Sequence, residues 1–214
     1  GNWGLNTRLT ASVEKPLNLY RFDFDKNGKI DPITTYFYKG TETVLATKDE
    51  LVKQLPFLNK KFLSYHDFAK AGITDLLSEE KLEKAEKKQV FTLETTYFEN
   101  QGNLSFKAKA LPQMAQISSV KTMITEDFNA DGLLDILLLG NDSEISTQLG
   151  RLDASHGVFL LNTGTGFNYT GNHNIDLRGA ARSNSKLKIK DDLLYIIGRN
   201  NDKPLFIRKE TAHD

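Results

Sequence analysis

Apolar residues along this chain alternate with polar ones in short runs, change to helical spacing near the middle of the first half, and then change back. Leu17 to Phe24 and Ile33 to Tyr38 are rich in aromatic and β-branched residues, which predicts two strands. Lys39-Gly40-Thr41-Glu42 is a turn signal, and Thr43 to Ala46 predicts a short third strand. From there Leu51, Leu55 and Leu58, then Phe62, Tyr65 and Phe68, recur at helical intervals. Thr47-Lys48-Asp49-Glu50 is a capping box, Ser64 and Ser78 are further N-cap candidates, and Pro56 ends or kinks the first helix. Residues 48–89 therefore predict two or three short helices. The alternating charges of Glu79 to Lys88 form a solvated helix face, and the aromatic stripe packs onto a sheet.

Strand patterning resumes with Phe91 to Phe98, the turn Asn100-Gln101-Gly102-Asn103, and Leu104 to Ala108 as a hairpin partner. Leu111-Pro112 begins a connection. Val120 to Thr125 and Ile136 to Leu139 predict the next two strands, and residues 141–156 a long polar loop. Gly157 to Leu161 and Phe167 to Tyr169 flank the turn 162–166. Leu187 to Ile189, Leu193 to Ile197 and Leu205 to Arg208 repeat the strand order, with turns at 190–192 and 199–202.

Two nine-residue stretches join predicted strands with identical spacing. Asp23-Phe24-Asp25-Lys26-Asn27-Gly28-Lys29-Ile30-Asp31 lies in the first half, and Asp127-Phe128-Asn129-Ala130-Asp131-Gly132-Leu133-Leu134-Asp135 in the second. Short oxygen-bearing side chains at positions 1, 3 and 5 can converge on a hard cation. Glycine at position 6 permits the sharp turn, and position 7 offers its backbone carbonyl. The expected ligands are Asp23, Asp25, Asn27, Asp31 and the Lys29 carbonyl in one loop, and Asp127, Asn129, Asp131, Asp135 and the Leu133 carbonyl in the other. The cofactor so implied is calcium, at two sites. An EF-hand is excluded, because position 12 is Thr34 or Leu138 where that motif needs a bidentate Glu, and the flanks are strands.

A calcium loop between strands, closed at position 9, resembles the loop of FG-GAP and VCBS-type repeats, which form β-propeller blades in the integrin α-subunit head and in bacterial surface proteins. The Phe-Gly and Gly-Ala-Pro halves that name FG-GAP repeats are missing here, and Pro32 follows Asp31 at the opening of a strand. The interval from Asp23 to the turn at Asn100 exceeds that from Asp127 to Asn162 by the length of the helical stretch. The expectation is therefore a mainly β chain, 1–214 as one propeller-type region, with about three blades and a helical insertion over 48–89. The third blade lacks the metal pattern. Three blades do not close a ring, so the chain is expected to be part of a longer propeller or to be completed by a partner.

Composition narrows the function. The 214 residues carry 28 basic and 28 acidic side chains, so the formal net charge is zero and no polyanion-binding footprint exists; nucleic acid is not an expected partner. Cysteine is absent, which excludes disulfides, thiolate zinc sites and cysteine nucleophiles. The opening Gly1-Asn2-Trp3-Gly4 carries no signal peptide and reads as a mature or trimmed start, and the apolar runs are too short to span a membrane. Neither a G-x-S-x-G elbow nor an H-E-x-x-H helix is present. Of the histidines, His66 suits a surface or capping role, His213 a loose terminus, and His156 closes Gly150-Arg151-Leu152-Asp153-Ala154-Ser155-His156, the best candidate for a partner surface. Glu79-Glu80 suit a helix start and do not face each other as a catalytic pair.

The resulting expectation is a non-enzymatic calcium-binding module, extracellular, at the cell surface or periplasmic, recognising a protein or glycan, with calcium in a structural role. The alternative is an accessory or partial domain of a calcium-dependent polysaccharide-active enzyme.

Overall fold

The computed structural model describes residues 1–171, 176–190 and 192–209; His173, Asp191 and His213 lie outside them. The chain is mainly β, with four antiparallel sheets, none closed. No described helix is long and apolar enough to cross a membrane. The chain divides into two compact units, residues 8–93 and residues 1–7 with 94–214.

In the first unit, β1 (Leu17–Phe22), β2 (Asp31–Tyr38) and β3 (Thr41–Val44) form an up-and-down sheet. Pro32 is tolerated in β2 because β3 ends at Val44, opposite Thr35, so no strand on that side needs its missing N–H. The expected two or three helices are five: α1 (Lys48–Gln54), α2 (Leu58–Lys61), α3 (Tyr65–Lys70), α4 (Ile73–Leu76) and α5 (Glu79–Lys84). Their ends follow the sequence. Thr47 and Glu50 close a reciprocal capping box, Ser64 accepts from the Asp67 N–H at 3.0 Å, and α1 stops before Pro56. Ser78 precedes α5 without a side-chain cap bond.

The helical region ends sooner than its composition suggests, because Glu86–Val90 forms β4 and pairs antiparallel with β1. Its lysines guard an exposed sheet edge, where their charge deters further strand pairing. The sheet order is β3-β2-β1-β4. Tyr20, Ile33 and Val44 from the strands meet Leu51, Leu55, Leu58, Phe68, Ile73, Leu76 and Leu77 in one core. The segment expected as an insertion thus supplies eight of the twelve buried residues of this core, which joins helices and sheet in a two-layer α-on-β arrangement. Within the same sheet Glu42 accepts from Asn18 at 2.7 Å and from Thr35 at 2.5 Å, so polar side chains buried there are satisfied.

In the second unit, β5 (Thr96–Gly102) and β6 (Ser105–Ala110) form a separate two-stranded sheet. The strand expected over Phe91 to Phe98 is divided, since 91–95 are irregular. The backbone of Thr95 is bonded there to the Gln116 side-chain amide, at 2.8 and 3.0 Å, instead of to a strand. After a 3-10 turn at Gln113–Gln116, β7 (Val120–Glu126), β8 (Asp135–Gly140), β9 (Val158–Asn162) and β10 (Phe167–Tyr169) run as a four-stranded meander. A last sheet follows, β11 (Ala181–Ile189), β12 (Asp192–Arg199) and β13 (Leu205–Lys209), in that order.

The hairpin at Asn100 is therefore not the counterpart of the hairpin at Asn162. The strand that follows the first loop hairpin within its own sheet is β3, as β9 follows the second.

The meander is covered on both faces. Leu137, Leu139 and Phe159 pack with Ala181, Tyr195 and Ile197 on one side, while Leu138, Val158 and Leu160 pack with Leu111 and Ala115 on the other. That is why β8 reads as a continuous apolar run and not as an alternating one. Glu126 fastens the two stacked sheets, accepting from Lys186 at 2.6 Å and from the Tyr195 hydroxyl at 2.5 Å. These two bonds hold the Glu126 carboxyl below its usual range, and burial with the Glu126 bond pushes the Tyr195 phenol up. Asn141, at φ 78°, pins the long loop: its side chain bonds the Ser155 carbonyl at 2.7 Å, the Ser155 N–H at 3.1 Å and the Gly179 carbonyl at 3.1 Å.

Candidate metal centre

Residues 23–31 connect β1 to β2, and residues 127–135 connect β7 to β8. Each loop is thus the turn of a hairpin, and its position 9 opens the returning strand. Both loops fold onto the same internal hydrogen-bond skeleton. The N–H of position 5 donates to the position 1 carboxylate (Asn27 to Asp23, 3.0 Å; Asp131 to Asp127, 3.1 Å) and to the side-chain oxygen of position 3 (Asn27 to Asp25, 3.1 Å; Asp131 to Asn129, 3.1 Å). The glycine N–H at position 6 donates to the second oxygen of position 1, at 2.8 Å from Gly28 and 2.9 Å from Gly132. The N–H of position 7 donates to position 5, at 2.8 Å in both loops. The N–H of position 2 donates to position 9, Phe24 to Asp31 at 3.0 Å and Phe128 to Asp135 at 3.1 Å.

Backbone angles match as well. Position 4 is left-handed in both loops, Lys26 at φ 62° and Ala130 at 61°, and so is position 6, Gly28 at 84° and Gly132 at 87°. A Cβ on either glycine would meet nothing within 4 Å, so glycine is selected there for its backbone angle and not for space.

The carboxylates are distributed differently, because positions 3 and 5 are Asp25 and Asn27 in the first loop and Asn129 and Asp131 in the second. One carboxylate oxygen from each of Asp23, Asp25 and Asp31 lies within 4.8 Å of the other two. Among the described residues, Asp127, Asp131 and Asp135 do not converge to that degree. Asp31 and Asp135 are buried, Asp23, Asp25 and Asp127 half-buried, and Asn27, Lys29, Asn129, Asp131 and Leu133 exposed. Burial raises the Asp23 carboxyl, but the N–H groups of Gly28, Asn27 and Lys26 outweigh it and hold Asp23 below the usual aspartate range. A carboxylate has about four lone-pair directions, so the internal bonds leave acceptor capacity for a cation. The donor set is all oxygen, which suits hard cations such as calcium and magnesium.

Three contributors have no local sequence signal. The Lys81 ammonium of α5 donates to the Phe24 carbonyl at 2.6 Å, and Lys209 of β13 donates to the Asp127 carbonyl. Asn162 closes the second loop, its N–H bonding Asp135 at 2.9 Å and its amide bonding the Leu134 carbonyl at 3.0 Å. Asn162 is legible in the sequence only as the first residue of a turn. In the polar loop, His156 lies 3.3 Å from Asp176, and Arg178 meets the same carboxylate at 2.9 Å. Ser155 is buried, while Arg151 and Asp153 are exposed. His66 is exposed on α3, and Glu80 pairs with Lys84 at 2.5 Å along α5.

Comparison with protein-family models, with curated proteins and with solved structures returns no match to this chain.

Proposed function

We propose that this chain is a non-enzymatic, calcium-stabilised binding module whose two loop-bearing hairpins belong to propeller-blade-type sheets. The observation that carries the reading is the duplicated loop skeleton. Two segments far apart in sequence share the same backbone N–H bonds and the same pair of left-handed positions, and in one of them three carboxylates already converge. Carboxylates held that close repel one another unless a cation intervenes. The four-stranded meander, stacked face to face on the next sheet, also supports blade-type packing. Calcium at such loops holds two strands at a fixed separation, and this role requires calcium-rich surroundings, outside the cell, at its surface or in the periplasm. The partner is a protein or a glycan, and the chain works as part of a longer one.

Calorimetric titration of chelator-treated protein is expected to show two calcium sites. Saturating both stabilises the fold by roughly 2.7 kcal/mol per site at a hundredfold excess over Kd, which raises Tm by several degrees. Asp25→Ala and Asp131→Ala should each remove one site. No heat at millimolar calcium and an unchanged melting curve on chelation would overturn the reading.

A further inference from the structure

The second unit carries a half-open cavity of about 240 Å³ between β5–β6 and the β9–β10 turn. Tyr97 and Phe167 line it with rings meeting edge to face at 5.4 Å, and Pro112 adds a third apolar surface. The rim is polar, formed by Thr163 and Thr165, whose exposed hydroxyls lie 3.3 Å apart, while the Asn168 side chain alternates to the sheet face opposite Phe167. Lys109 also lines the cavity, but its ammonium lies 3.1 Å from Glu99 and donates to the Thr165 carbonyl at 3.3 Å. Its charge is answered within the wall, so the cavity does not call for an anion.

The turn beneath the cavity is held firmly. Thr163 N–H bonds the Gly166 carbonyl at 2.9 Å, Gly164 N–H bonds the Asn162 side chain at 2.9 Å, and Asn162 is bonded to Asp135 of the second loop. A ligand would therefore meet a preformed surface and incur little ordering cost.

We propose that this cavity binds one neutral sugar ring. A hexose has an apolar face of C–H groups that packs on an aromatic corner, and an outer edge of hydroxyls that needs polar partners; Tyr97 with Phe167 supplies the corner, and the Thr163 and Thr165 hydroxyls supply the polar edge. The volume suits a single ring and excludes an oligosaccharide lying wholly inside, so the cavity takes a terminal residue. A site of this size and openness binds at millimolar affinity. The proposal deepens the glycan half of the binding-module reading and rests on it.

Saturation-transfer NMR with glucose, galactose, mannose and N-acetylglucosamine, and glucuronate as the acidic control, tests it. At least one neutral sugar should show transfer at tens of millimolar, with glucuronate weaker. Thr165→Val, on the exposed rim, should weaken that sugar about fivefold with Tm unchanged. Tyr97→Ala should abolish binding, and its melting curve would show whether it folds. No transfer from any neutral sugar, or transfer undiminished in Thr165→Val, overturns the proposal. Calcium titration of the same samples separates the two readings: sugar binding without calcium binding keeps the cavity and removes the calcium role, and calcium binding without sugar binding removes the cavity alone.

Discussion

Between β1 and β2 the loop 23–31 sits beside a helix, and Lys81 of that helix reaches the Phe24 carbonyl. Between β7 and β8 the loop 127–135 sits beside a strand end and a turn, and Lys209 and Asn162 reach it instead. Inside the loops the backbone N–H bonds are the same, while the amide of position 5 donates to position 3 in the first loop and that of position 3 to position 5 in the second; outside, the neighbouring elements differ. The consequence shows at position 9. Asp135 uses both carboxylate oxygens, one for the Phe128 N–H and one for the Asn162 N–H. Asp31 uses one, for the Phe24 N–H, and its carboxylate converges with Asp23 and Asp25. Spacing sets the turn, the residue at position 3 sets how many carboxylates can meet there, and the neighbours set which oxygens of position 9 are occupied. One feature of the surroundings is shared: each loop has an ammonium on one of its carbonyls, Lys81 on Phe24 and Lys209 on Asp127.

The sheets around the loops differ more deeply, and the largest expected effect lies there. The β1–β4 sheet owes its core to the helices, whereas the β7–β10 meander is covered by other strands and turns. Replacing 48–84 with a Gly-Ser linker should unfold residues 8–93, and Leu55→Ala or Leu58→Ala alone should cost about 2–5 kcal/mol. Circular dichroism and limited proteolysis would read it. Retention of native β signal and of first-loop calcium binding after the deletion would restore the helices to the status of a removable insertion.

The loops themselves should differ by less. With three carboxylates already convergent, the first loop should fill with calcium first, about tenfold more tightly, which is about 1.4 kcal/mol. Titrating Asp131→Ala and Asp25→Ala separately assigns each affinity to its loop. Equal affinities would mean that the bond between Asn162 and Asp135 does not hinder calcium.

The smallest effect should be the same in both loops. Gly28→Ala and Gly132→Ala introduce no clash but force an L-residue to φ above 80°, at about 1 kcal/mol each. Urea midpoints at constant slope would measure it. A difference above about 0.5 kcal/mol between them would show that the surroundings, and not the local skeleton, hold the turn.

Much of the local structure is legible in residue order because it is set by contacts only a few residues long. The capping box at Thr47 and Glu50, the stop before Pro56 and the skeleton of both nine-residue loops are of this kind. Strand patterning likewise places β1, β2, β7, β8, β12 and β13 nearly where they fall, whereas β11 begins at Ala181, well before the expected Leu187, because its polar first half carries no apolar alternation. Partners distant in sequence leave no such mark. That Glu86–Val90 leaves the helical stretch to pair with β1 was decided by an open sheet edge. That Thr95 bonds a glutamine side chain, and that β3 rather than the Asn100 hairpin continues the first sheet, were decided by packing. The same holds for Lys81, Lys209 and Asn162. A lone lysine or a turn asparagine has no periodicity to betray its target, and only the folded chain brings its donor within reach of a loop carbonyl or carboxylate. The sequence by itself thus determined the two turns and which of their positions carry carboxylates, and the tertiary structure decided which distant groups reach them, because Lys81, Lys209 and Asn162 meet the loops only once the chain is folded.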